Sequence, residues 1–117
     1  MMNRPAAIEW LLIPAPDLAK ARDFYSKVFH FEISDYSSTF SVFKAANISG
    51  GFDSGLVPSE MSLSFSLTVD DIDQVLKRIV LQGGRVIKER YSLGPGNGFC
   101  ARFADSNGNI LELYSDR

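Results

Sequence analysis

A chain of 117 residues with 45% hydrophobic and 22% charged side chains has the composition of one globular domain, which excludes a disordered or fibrous protein. Roughly two thirds of the unfolded surface can be buried at this length, so a core forms without staples, and the single cysteine, Cys100, allows no internal disulfide and fits a reducing, cytoplasmic setting. A formal net charge of −2 argues against a nucleic-acid binder, and the stretch "WLLIPAP" is too short and proline-rich to span a membrane.

Residues 8–15 are apolar apart from Glu9 and predict a strand. Alternation sends Leu11 and Ile13 to one face and Trp10 and Leu12 to the other. Asp17 then stands as an N-cap before Leu18, Ala21, Phe24, Tyr25 and Val28 at helical spacing, and His30 sits at the helix exit. Three strands follow, over 31–36, 39–45 and near 51–56.

The second half opens with a strand over 62–69, where Leu63, Phe65, Leu67 and Val69 alternate with Ser62, Ser64, Ser66 and Thr68. A row of four hydroxyls is no dry core, so it faces solvent or a wet cleft, or touches a ligand directly. Asp71 caps the next helix with Gln74 placed as in a capping box, Ile72, Val75, Leu76, Ile79 and Val80 share one side, and Gly83 ends it. Strands over 85–90, 99–104 and 110–115 complete the chain. Between the first two, "SLGPGNGF" lacks the Lys-Ser/Thr ending of a phosphate loop and reads as a rim lid or a plain connector.

The chain therefore states one pattern twice: strand, helix, three strands. Aligning the two caps gives an offset of 54 (71 − 17), which lays Ser64 over Trp10. One helix on one face of a small sheet leaves the other face bare. Two such units, over 6–57 and 61–116 of one domain spanning 1–117, predict an α+β fold in which βαβββ modules form a cup-shaped mixed sheet with the helices outside.

Within the last hairpin, "DSNGN" closes symmetrically if Ala104 faces Ile110, Phe103 faces Leu111 and Arg102 faces Glu112. Arg102 and Glu112 are then expected as an ion pair on the cup wall. Cys100, two residues before Arg102, shares that face. A guanidinium nearby would lower its pKa toward a nucleophile, whereas a buried cysteine behaves as a small apolar residue.

The doubled unit, "D-L-x-x-A-x-x-F-Y" at Asp17 to Tyr25 and "D-S-N-G-N-I-L-E-L" at Asp105 to Leu113, resembles the vicinal oxygen chelate superfamily of glyoxalases, bleomycin-resistance proteins and extradiol dioxygenases. The resemblance implies a cup built from paired βαβββ modules, commonly in a homodimer. It also implies metal ligands from the first and last strand of each module. The first-strand positions hold Trp10 and Ser64, where His or Gln would be expected, and Glu112 is the one good ligand; a last-strand offset of about 60 puts its first-module counterpart at Phe52, with Gly51 and Asp53 beside it.

The expectation is thus a metal-independent, cofactor-free protein that binds a small organic molecule through Trp10, Leu12, Phe52, Ser64, Ser66, Cys100, Arg102, Glu112 and Tyr114. One alternative is a glyoxalase-type lyase or isomerase with Glu112 as catalytic base or metal ligand. Another is a non-catalytic regulatory or partner-binding module. No nucleic acid or membrane is expected as a partner.

Overall fold

The computed structural model describes residues 10–59 and 64–117. Glu9, Ser62 and Leu63 lie outside the described residues. Strand β1 (Trp10–Pro14) leads into helix α1 (Leu18–Phe29), then β2 (Glu32–Asp35), β3 (Phe40–Lys44) and β4 (Ser49–Asp53). The pattern recurs as β5 (Ser66–Thr68), α2 (Ile72–Leu81), β6 (Arg85–Ser92), β7 (Phe99–Ala104) and β8 (Ile110–Ser115).

Each module makes its own four-stranded mixed sheet, in the orders β1-β4-β3-β2 and β5-β8-β7-β6. In each, the outer three strands pair antiparallel and the module's first strand pairs parallel with its last. The fold is α+β with a helix on one face of each sheet. Among the described residues no helix is long and apolar enough to cross a membrane.

Both helices start where a carboxylate accepts from the backbone three residues on: Asp17 from Lys20 N at 3.1 Å, and Asp71 from Gln74 N at 3.1 Å. They end differently. α2 stops at Gln82 and Gly83, whose φ is 89°, while α1 stops at His30 with φ 60°, a left-handed cap made without glycine. His30 is therefore a helix terminator.

The helix-facing sides of both sheets share one core with α1 and α2. The adjacent Phe24 and Tyr25 of α1 reach in two directions. Tyr25 packs on Phe52 of β4 with ring centroids 5.0 Å apart, whereas Phe24 lies 6.3 Å from Phe103 of β7. One helix thus joins the two modules through aromatic rings.

The turn after β7 adds a polar joint. Asp105, buried, accepts from the Tyr25 hydroxyl at 2.8 Å, from Asn109 Nδ2 at 2.8 Å, and from the backbone of Asn107 and Asn109 at 2.9 Å each. Asn109 also donates to the Pro14 carbonyl at 2.6 Å, Asn107 bonds both backbone groups of Asp17, and Ser106 donates to the Lys20 carbonyl. The "DSNGN" run accordingly clasps the second module to the β1–α1 junction of the first. Burial pushes the Tyr25 hydroxyl well above the ordinary phenol value, with the Asp105 charge and hydrogen bond adding to the shift.

β4 starts two residues earlier and ends three residues earlier than its sequence suggests. Ser49, Gly50 and Gly51 belong to the strand because β4 is central, between β1 and β3, and large rings from β3 lie over its glycines. A glycine pair looks like a turn only until its neighbours supply the side chains.

Candidate functional site

The sheet faces turned away from the helices carry the candidate site. Strand pairing orders the second module's open face into cross-strand rows, because paired residues point the same way. Lys88, Arg102, Glu112 and Ser66 form one row, and Tyr91, Cys100, Tyr114 and Thr68 the next. Ser64 is exposed at one edge and donates to the Ile110 carbonyl at 3.1 Å. Ser66, Cys100, Arg102, Glu112 and Tyr114 are thereby brought together.

The last hairpin closes with Arg102 opposite Glu112. The expected ion pair is absent among the described residues. The Glu112 carboxylate instead accepts from the Cys100 thiol, at 3.2 Å. Cys100 is 5% exposed, and burial, then the Glu112 hydrogen bond, push its thiol above the ordinary range despite an opposing hydrogen bond from Tyr91. Arg102 does not turn Cys100 into a thiolate; burial first, and the acidic neighbour second, favour the protonated thiol. The Tyr91 hydroxyl is raised too, chiefly by its hydrogen bond with Cys100.

On the first module, Trp10 and Leu12 are 51% and 49% exposed on the open face of β1, while Ile13 is buried against the helix. They sit on a different sheet from Glu112. Phe52 does not line this face. It is fully buried among the rings of Tyr25 and Phe43, because it pairs with Ile13 and both point toward α1.

The misplacement has a simple origin in register. Ser66 lies 54 residues after Leu12; Ser66 pairs with Glu112 and Leu12 pairs with Gly51, so the last strands are offset by 61 (112 − 51), and a step of one reverses the face. Gly51 is the true counterpart of Glu112. A Cβ there would run into the Phe40 ring, which occupies the space a side chain would need. Asp53 shares the open face two residues on, with its carboxylate engaged by Gly55 N at 2.8 Å.

A chelated metal does not fit this donor set. On the first strands Trp10 and Leu12 offer no ligand and Ser64 and Ser66 only neutral hydroxyls, and of the last-strand pair Gly51 offers nothing, so Glu112 is the one carboxylate of the set. Among the described residues no three His, Cys, Asp or Glu side chains converge. Sequence reasoning missed Lys88 and left the face of Tyr91 open, since bulges in β6 break the alternation that would have assigned both.

A family model described as Glyoxalase/Bleomycin resistance protein/Dioxygenase superfamily matches residues 7–113. Solved structures share the fold. A glyoxalase/bleomycin resistance protein/dioxygenase family enzyme from Burkholderia phytofirmans PsJN superposes with a TM-score of 0.81 at 18% identity, covering 96% of this chain and 100% of its own. A genomically encoded fosfomycin resistance protein, FosX, from Listeria monocytogenes gives 0.71 at 20% identity, covering 97% and 94%. Lactoylglutathione lyase from Agrobacterium tumefaciens gives 0.70 at 21% identity, covering 97% and 96%. No curated protein sequence matches the chain.

Proposed function

Since the chain belongs to the glyoxalase/bleomycin resistance protein/dioxygenase superfamily, we propose that it binds a small organic molecule against its open sheet faces, without a chelated metal, as a homodimer. The observation that carries this reading is the row Leu12–Gly51 and its counterpart Ser66–Glu112, where one ligand survives and Phe40 covers the place of its mate. Metal chemistry needs several convergent donors, whereas binding needs a surface with apolar and polar parts. Trp10 and Leu12 supply the first, and the hydroxyls of Ser64, Ser66 and Thr68 the second.

The dimer follows from the same faces. Trp10 and Leu12 are half exposed in a single chain, and a second copy laid over them would complete a cup. Metal analysis of purified protein, paired with thermal shifts across a panel of aromatic metabolites and antibiotics, tests the reading. Stabilisation by a panel member in metal-free protein supports it; one equivalent of zinc, nickel, iron or manganese lost on Glu112→Gln overturns it.

A second reading is a lyase or isomerase in which Glu112 is the base. Its support is the Cys100 thiol, which fixes one carboxylate oxygen at 3.2 Å on an open face. Turnover of a hemithioacetal in wild type, abolished in Glu112→Gln, would favour this reading over simple binding.

A further inference from the structure

Lys88 and Arg102 stand directly opposite each other across β6 and β7, on the same open face as Glu112. Like charges in directly opposed positions of a sheet repel. Neither is in an ion pair among the described residues: Glu112 is taken by Cys100, and the Lys88 ammonium lies over the Tyr91 ring, 3.9 Å from its centroid. Arg85, opposite Ala104 on the neighbouring row, adds a third cation to this face. A chain with a net charge of −2 therefore concentrates positive charge on one wall of its candidate site.

We propose that Lys88 and Arg102 form an anion subsite, so that the ligand is a small organic acid with a carboxylate, phosphate or phosphonate group and an apolar body. This rests on the reading that ligand lies on the open sheet faces. An anion placed between the two cations removes their mutual repulsion and gains charge-assisted hydrogen bonds from a guanidinium and an ammonium. The hydroxyl of Ser66, at the end of the same row, adds a neutral donor. The carboxylate of Glu112 repels an anion on that side and biases it toward Lys88. The apolar part of such a ligand suits the half-exposed Trp10 and Leu12.

Four probes sharing one ring separate the possibilities: benzoate, phenylphosphonate, benzylamine and benzyl alcohol, titrated into the full chain and followed by backbone amide NMR. Benzoate or phenylphosphonate is expected to move the amides of Arg102 and Glu112, and the preference between the two identifies the acid group. Lys88→Met and Arg102→Met should each weaken that binding about tenfold, the scale of one charge-assisted contact, and added salt should weaken it in wild type. Lys27→Met, on the helical side, should not.

If benzylamine or benzyl alcohol binds the open face as tightly as the acids, the anion subsite is overturned while the binding cup stands. If no probe moves an open-face amide, both readings fall. Should Lys88→Met and Arg102→Met alter the sedimentation of the protein but leave benzoate binding intact, the two cations serve contact between copies and the proposal is overturned.

Discussion

At the scale of single residues, Glu112 and Cys100 trade roles with what their charges suggest. The carboxylate is held by a thiol, and the thiol is made less acidic by burial and then by the carboxylate. Alkylation of Cys100 by iodoacetamide should be slow at neutral pH and rise only in the alkaline range, and Glu112→Gln should move that rise to lower pH. The sign for stability follows. An unfolded thiol ionises near about pH 8.5, the folded one higher, so between the two values the folded state holds the extra proton and stability falls as pH rises. Denaturation at neutral and alkaline pH should show that loss in wild type and less of it in Cys100→Ala. Tyr25→Phe, which strips one partner from buried Asp105, should cost about 1.5–3 kcal/mol in urea denaturation. Tyr25 was legible as an apolar helix residue but its hydroxyl was not, because its partner lies 80 residues away.

Elements show where sequence pattern suffices and where it stops. The helices, their capping aspartates and the repeat were readable, since caps and periodicity are local. The ends of β4 were not, because Gly50 and Gly51 carry no pattern and are held in the strand by rings from β3. Gly50→Ala should destabilise by about 1–3 kcal/mol, as its Cβ would meet the Leu11 carbonyl as well as Phe43. The opposite sign is expected at the end of α1, where His30 holds a left-handed conformation. His30→Gly should stabilise by about 1 kcal/mol, read as a higher urea midpoint at unchanged slope.

The whole molecule is only 26 Å thick along its shortest axis, one layer of strands and one of helices. With both helices on the same core, no helix among the described residues covers the other side of either sheet, where Trp10 and Leu12 stand half exposed. Sedimentation should therefore give twice the chain mass, and Leu12→Arg should shift the protein toward the monomer without loss of helical circular dichroism. The doubled architecture was evident from the offset of 54 between the caps, but how the modules join was not. That joint depends on Phe24, Phe103 and the Asp105 clasp, contacts between residues far apart in sequence.

The Phe40 ring over Gly51 also bears on how reversible this design is. Installing a carboxylate at position 51 requires the phenyl ring to leave, and removing the ring alone uncovers a bare glycine backbone in a central strand. Each change by itself costs stability, so a route to chelation through single substitutions passes through a less stable intermediate. An engineer seeking a metal centre would have to alter both residues at once, then place ligands on β1 and at the start of the second module as well. The pair works as a ratchet.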